Sequence, residues 1–383
     1  MALTKDELAA VAADTFDVSG PAHIMSRAPA GHPCATMIDW NNEEDRRCVA
    51  ACLVQGTYIL ENDRTSCRLP HEMLAPPWYE SFNFRLVEVL KDDAYDQKQN
   101  KFIFGAIFEH IPLADTPRHP SAPQYIVAFR GTMILHPNSI HDIHLDLKVI
   151  TNTLPDSKRS RRGKKAVEAL LPTIAKGKDG FENCNLWLTG HSLGASLALD
   201  VGRTMMSDQG LNLPTFLFNP PHVSMDPALD LLLPSKVVRR ELHVVNNLVK
   251  AGLGLVLSPH RRRMEELFER LSQWAPNLYV HEKDLVCQGF ISYFDQRQRM
   301  ERRFSDGVAK SAATLSYRDM LFSAIGKDKE RPHLLPSATL WKNSSMDKGV
   351  QGLKDTSLDA HELKHWWKPD AELGLSNRRY SLP

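Results

Sequence analysis

The spacing of apolar residues predicts strands that alternate with helices along most of the chain. Helical spacing is clearest in residues 43–64, where Val49, Cys52 and Leu53 share one face, and in residues 165–175. Runs rich in β-branched and aromatic residues predict strands at 82–90, 102–111, 125–132, 186–188, 215–224 and 278–284. This alternation is typical of an α/β fold in which a mainly parallel central sheet is flanked by helices.

We expect one domain over residues 1–383 that carries two helical additions. Residues 1–80 form a predicted N-terminal helical extension, and residues 237–277 form a helical insert before the strand at 278–284. The apolar positions of the insert make one helical stripe, which consists of Met264, Leu267, Phe268, Leu271 and Trp274. Such a stripe either packs on the sheet or forms a lid over a pocket, and we favour packing because apolar stripes more often face a core.

Composition narrows the class of protein. The chain has 383 residues, 42% of them hydrophobic, which suffices for a large core and excludes disorder throughout. Its net charge of +1 predicts no nucleic-acid partner, and the basic runs at 158–165, 260–263 and 297–303 are interpreted as solvated surface. No apolar segment has signal-peptide or membrane-span length, so we expect a cytoplasmic protein with at most transient membrane-surface contact. The six cysteines lack metal-ligand spacing and predict reduced thiols without a metal or cofactor.

Residues 190–194, GHSLG, place a serine between two glycines. An apolar strand enters this motif and a run of helix formers leaves it, which is the setting of a nucleophile elbow. Gly190 and Gly194 allow the sharp turn that holds Ser192 exposed at the end of the strand. The alternative is that Ser192 only caps the following helix.

A serine hydroxyl needs a histidine to take its proton and a carboxylate to orient that histidine. Asp284 ends the predicted strand segment at 278–284, directly after LYVHEK, and is the best candidate for the acid. Asp226 and Asp230 lie in a proline-flanked stretch, and Asp295 lies in a polar one.

Three histidines follow Asp284 along the chain and are candidates for the base. His361 leads because it is predicted to begin a short amphipathic segment that Leu363, Trp366 and Trp367 anchor to the core. His365 is the second choice, and His333 lies between prolines in RPHLLP.

An oxyanion hole is expected from two backbone N–H groups. Leu193, the residue after the serine, supplies the first. Thr132 supplies the second, because it lies at the end of the predicted strand at 125–132 and Gly131 beside it permits close backbone approach. His191 is expected to pack or hydrogen-bond beside the turn, since its side chain points away from that of Ser192.

Several segments resemble those of a known family. FRGT followed by Asp142 and Asp146, then TGHSLGASLAL, then HEKDLV, is similar to the class 3, fungal-type lipases of the α/β-hydrolase superfamily. The segments DWNNEEDRRCVAACLVQGTYILENDR, FIFGAIFEH and AHELKHWWKPD resemble a plant branch of intracellular proteins labelled GDSL esterase/lipase-like. The sequence itself contains no GDSL stretch.

The resemblance implies an α/β-hydrolase fold and hydrolysis of carboxylic esters, with lipid acyl esters as the expected substrates and no cofactor. It implies Ser192 as nucleophile, Asp284 as acid, His361 as base, and Thr132 and Leu193 as oxyanion donors. Glu362 departs from the pattern, since a glycine is expected there in the plant branch. Two alternatives stay open: a non-catalytic lipase-like scaffold that binds partners, and an esterase for short polar esters.

Overall fold

A computed structural model gives the fold of the chain. It describes residues 20–27, 37–92, 102–112, 117–132, 157–175, 185–222, 258–303, 335–345 and 353–381. Several residues considered above lie outside this range, namely Asp142, Asp146, Asp226, Asp230 and His333, as does the first half of the predicted insert.

In the described part of the chain, one sheet of eight strands has its strands in chain order. The four pairings from the third strand to the seventh are parallel, and the outer pairings are antiparallel. The strands are β1 Phe84–Asp92, β2 Phe102–His110, β3 Tyr125–Phe129, β4 Leu186–His191, β5 Thr215–Phe218, β6 Asn277–His281, β7 Ala338–Asn343 and β8 Ser376–Tyr380.

Helices connect the parallel strands and flank the sheet, which confirms the predicted fold class. They are α1 Ala22–Met25, α2 Glu43–Thr65, α3 Pro77–Glu80, α4 Lys158–Ala175, α5 Leu193–Gln209, α6 Ser258–Leu271, α7 Gly289–Arg303 and α8 Leu353–His361. Short 3₁₀ turns occur at Pro70–Glu72, Leu363–Trp367 and Asp370–Glu372. Among the described helices, none is long and apolar enough to cross a membrane.

The sheet has an apolar core on each face because alternate strand residues point to opposite sides. Ile126 and Ala128 of β3 belong to one core, and Val127 and Phe129 belong to the other. Helix α2 covers the first face, and much of its circumference is buried. This helix, which the sequence places in an N-terminal extension, is therefore one layer of the core.

The described part of the predicted insert packs as an ordinary core helix. Leu267 and Leu271 of α6 are buried in the second core, together with Trp274, and Phe268 of the same helix is also buried. The indole N–H of Trp274 donates to the Leu213 carbonyl oxygen at 3.0 Å. Residues 237–257 of the insert lie outside the described residues, so the choice between a packed helix and a lid stays a prediction.

The structure extends the predicted helix at 165–175 toward the amino terminus, over the basic run at 158–165. This run forms the first two turns of α4. Arg159 pairs with Asp92 at 2.5 Å, and Lys164 pairs with Asp200 at 3.0 Å, so these two cations are neutralised within the chain. The predicted strand at 125–132 is also shorter, because β3 ends at Phe129.

His110, at the end of β2, makes the fold sensitive to acid. Burial lowers its pKa from 6.5 to about 4, and the ring packs against Trp40 and Phe84. In the unfolded chain His110 is protonated below about pH 6.5, whereas in the folded chain it stays neutral down to about pH 4. The free energy of unfolding therefore falls as the pH is lowered through this window. Between pH 7 and pH 5 we expect wild type to lose about 2 kcal/mol more than His110→Phe in urea unfolding.

The exposed His71 offers a control for this effect, since its side chain is 74% exposed. His71→Phe should keep the pH dependence of wild type. Equal pH dependence in wild type and His110→Phe would contradict the assignment to His110.

Candidate active site

The chain turns sharply at Ser192, between β4 and α5. Ser192 has φ 54° and ψ −127°, and its N–H donates to the Phe218 carbonyl oxygen at 2.9 Å. Its side chain makes no capping hydrogen bond to α5, so the alternative that this hydroxyl only caps a helix is wrong. The strained backbone instead fixes the serine at the carboxyl end of a parallel strand.

Both motif glycines are required by close backbone packing. A Cβ at Gly190 would lie 2.3 Å from the Gly194 carbonyl oxygen. A Cβ at Gly194 would lie 2.2 Å from the Phe129 carbonyl oxygen. The turn therefore leaves room for glycine alone at these two positions.

The three residues selected from the sequence meet beyond this turn. His361 Nε2 lies 3.0 Å from Ser192 Oγ, and His361 Nδ1 lies 2.8 Å from Asp284 Oδ2. All three side chains are buried. Because a carboxylate only accepts hydrogen bonds, Nδ1 carries the proton and Nε2 accepts from the serine hydroxyl.

Asp284 is held by several donors in addition to His361. Its Oδ1 accepts from the Val286 N–H at 2.8 Å, and its Oδ2 accepts from Asn219 Nδ2 at 2.7 Å and from the Cys287 thiol at 3.0 Å. Burial by itself raises the pKa of the Asp284 carboxyl. The imidazole of His361 and the hydrogen bonds from Cys287 and Asn219 outweigh burial and hold this pKa below its ordinary value.

His361 is the last residue of α8, whereas the sequence predicted it to begin a segment. The final carbonyls of a helix lack intrahelical donors, and here side chains supply them. Asn219 Nδ2 donates to Ala360 O at 3.0 Å, and His191 Nε2 donates to His361 O at 2.8 Å. His365 Nε2 donates to Asp359 O at 2.8 Å. The ring that reaches Ser192 is thus that of His361, and His365 supports the helix end.

Two backbone segments lie beside Ser192 where the sequence predicted oxyanion donors. Leu193 is the first residue of α5, so its N–H has no intrahelical acceptor. A Cβ at Gly131 would lie 2.9 Å from the Ser192 Cβ, so the segment 130–132, which we call the oxyanion loop, touches the serine. Arg130 anchors this loop through hydrogen bonds to the carbonyl oxygens of Ile103 and Gly131. Thr132, the last residue of the oxyanion loop, is exposed.

Comparison with known proteins agrees with this geometry. The family model for lipase (class 3) matches residues 126–248. Over 371 residues the chain is 33% identical to a protein of Arabidopsis thaliana named GDSL esterase/lipase, and the alignment covers 93% of this chain and 95% of that protein. The chain belongs to the class 3 lipase family. It is therefore a carboxylic ester hydrolase, as the sequence predicted.

In this class 3 lipase, the segment after His361 is fixed by a buried arginine of α2. The Arg47 guanidinium donates to the carbonyl oxygens of Trp366 at 2.9 Å and Lys368 at 2.7 Å, and it pairs with Asp370. The Trp366 indole N–H also donates to Asn219 Oδ1. These contacts tie the His361 end of α8 to a helix more than 300 residues earlier in the chain.

Sequence analysis missed Arg47 and Asn219. A signal for Asn219 exists, because it directly follows the buried strand β5, and asparagine tolerates its φ of 46°. No local signal marks Arg47, since its partners are distant backbone carbonyls. Among the described residues, no group of three or more His, Cys, Asp or Glu side chains could hold a metal ion.

Arg47→Ala is expected to lower the free energy of unfolding by about 2–4 kcal/mol, because the buried Trp366 carbonyl and the partly buried Lys368 carbonyl lose their donor. The ion pair adds little, since Asp370 is half exposed. Urea unfolding measures the loss, and kcat should fall as the His361 end loosens. The neighbouring Arg46 stacks over Trp187 and pairs with Glu43, so Arg46→Ala should cost only about 1 kcal/mol. Equal losses in the two variants would contradict the role given to Arg47.

Proposed function

We propose that this class 3 lipase cleaves acyl esters of glycerolipids, or similarly apolar carboxylic esters, with Ser192 as nucleophile, His361 as base and Asp284 as acid. The observation that carries the proposal is the hydrogen-bond chain from Ser192 Oγ to His361 Nε2 and from His361 Nδ1 to Asp284 Oδ2, at 3.0 and 2.8 Å. These lengths lie within the reach needed for proton transfer.

Acylation begins when Ser192 Oγ attacks the ester carbonyl carbon and His361 Nε2 takes the hydroxyl proton. The Asp284 carboxylate, which stays ionised because its pKa is low, stabilises the imidazolium that forms. As the tetrahedral intermediate collapses, the C–O bond to the alcohol breaks and His361 gives its proton to the leaving oxygen. The acyl group remains on Ser192.

The N–H groups of Leu193 and Thr132 are the proposed donors to the negative oxygen of the intermediate. Leu193 lies at the amino end of α5, where the helix dipole also favours negative charge. Each such donor contributes about 3 kcal/mol in other hydrolases. The Leu193 N–H stays next to Ser192 because the two residues are adjacent in sequence. The position of the Thr132 N–H, in contrast, depends on the conformation of the oxyanion loop.

Deacylation repeats these steps with water in place of the alcohol. His361 takes a proton from water, the oxygen attacks the acyl carbon, and the carboxylic acid leaves as Ser192 regains its proton. Ester and water are the only reactants, and His361 carries each proton that is transferred.

The substrate class rests on family membership and on the name of the Arabidopsis relative. It is tested by comparing dispersed mono-oleoylglycerol with p-nitrophenyl acetate and p-nitrophenyl decanoate, with Ser192→Ala as the blank. We expect kcat/KM to rise with acyl chain length and fatty acid to be released from the glyceride. Cleavage of acetate alone would replace the lipid proposal with an esterase for short polar esters.

A further inference from the structure

The hydroxyl of Tyr58, on α2, lies between the oxyanion loop and the turn at Ser192. It accepts a hydrogen bond from the Gly131 N–H at 2.7 Å. It also lies 2.9 Å from His191 Nδ1. Gly131 allows this approach because a Cβ there would lie 2.7 Å from the same hydroxyl.

The second ring nitrogen of His191 faces the end of α8. His191 Nε2 lies 2.8 Å from the His361 carbonyl oxygen, which only accepts hydrogen bonds, so Nε2 carries the proton. His191 Nδ1 is then the acceptor, and Tyr58 must donate to it. The direction of every bond is fixed, from the Gly131 N–H through Tyr58 and His191 to the His361 carbonyl. We call this chain the Tyr58–His191 relay.

Burial keeps the relay in one protonation state. It lowers the pKa of His191 to about 3, with the neighbouring His361 as the next cause. A proton on Nδ1 would turn that atom into a donor, so Tyr58 could no longer donate to it. Burial also raises the pKa of Tyr58 to about 12, so the hydroxyl keeps its proton. The relay is therefore intact throughout the neutral pH range.

We propose that Tyr58 and His191 are positioning residues that hold the oxyanion loop in register with the backbone of His361. The proposal rests on the proposed function, since it acts through the Thr132 N–H and the His361 imidazole. Both groups act on the same tetrahedral intermediate, Thr132 on its negative oxygen and His361 on the serine and leaving oxygens, and a misplacement of about 1 Å reduces catalysis strongly. The relay connects the two segments that carry them, although these lie more than 200 residues apart in the chain.

Tyr58→Phe tests the relay because it removes only the bridging oxygen. Thr57→Val is the matched control, since Thr57 is the preceding residue of α2 and its buried hydroxyl donates within the helix, to Leu53 O at 2.9 Å. With p-nitrophenyl butyrate we expect kcat to fall about 10–100-fold in Tyr58→Phe, with KM within about twofold of wild type. Labelling of Ser192 by a fluorophosphonate should slow by a similar factor. Thr57→Val should keep kcat and the labelling rate within about twofold of wild type.

His191→Gln provides a second variant that does not depend on the folding of the first. Its amide nitrogen can replace Nε2 as donor to His361 O, while the acceptor for Tyr58 is lost. We expect it to lower kcat as Tyr58→Phe does. The kcat of the double variant should be at most about twofold below that of the less active single variant, because both substitutions interrupt the same hydrogen-bond chain.

The relay and the proposed function fail in different ways. Normal kcat in folded Tyr58→Phe or His191→Gln, with wild type labelled on Ser192, would overturn the relay alone. A reduction in kcat of the double variant that equals the product of the two single reductions would also overturn it. Absence of labelling in folded wild type would overturn the proposed function, and the role of the relay with it.

Discussion

Ser192→Ala is expected to reduce kcat for ester hydrolysis by roughly 10⁶-fold while the protein stays folded, by analogy with other serine hydrolases. The oxygen that it removes is the only atom of the chain proposed to bond to the acyl group. His361 Nε2 would lose its 3.0 Å partner but keep its orientation through Asp284. Initial rates on p-nitrophenyl decanoate, with circular dichroism to monitor the fold, measure the effect.

Ser196 offers a matched control one turn further along α5. It is also buried, and its N–H donates to the Ser192 carbonyl oxygen at 3.3 Å. Ser196→Ala should retain kcat within a few-fold of wild type. Retention of more than about 1% of the wild-type kcat in Ser192→Ala would contradict the nucleophile assignment.

Gly194→Ala is expected to cause the largest loss of stability among the site variants. The added Cβ would lie 2.2 Å from the Phe129 carbonyl oxygen, and backbone at the end of β3 cannot rotate away as a side chain would. We expect a loss of more than about 3 kcal/mol, or no folded protein. Thermal or urea unfolding of the purified protein measures it.

Gly210, at the other end of α5, gives the comparison. It has φ 67°, and no atom of the described residues lies within 4 Å of an added Cβ there, so Gly210→Ala costs only the strain of a left-handed backbone, about 1–2 kcal/mol. A Gly194→Ala variant as stable as Gly210→Ala would show that the turn is looser than its contacts indicate.

Local patterns sufficed for much of the fold and for the turn at Ser192. The strand before GHSLG and the helix formers after it predict the turn because their signals lie within a few residues. Asp284 could be selected because an acid after a buried strand reaches the carboxyl edge of a parallel sheet. Helix α2 was predicted with its bounds correct to within one residue.

Other features depended on contacts that no local pattern encodes. Strands β7 and β8 were not predicted, since β8 is a short and mostly exposed edge strand with polar residues on both faces. The start of α4 was missed because its basic residues resemble a loop until Asp92 and Asp200 pair with them. Tyr58 and Arg47 act on backbone groups far away in sequence, so the tertiary fold alone brings them to the site.

The most direct test of the account is to label folded wild type with a fluorophosphonate and to locate the adduct by peptide mass spectrometry. The account predicts one adduct, on Ser192, that is absent from Ser192→Ala and His361→Ala and unchanged in Ser196→Ala. An adduct on another serine would contradict the account. So would a folded wild type that stays unlabelled, and a non-catalytic lipase-like scaffold would then be the better interpretation.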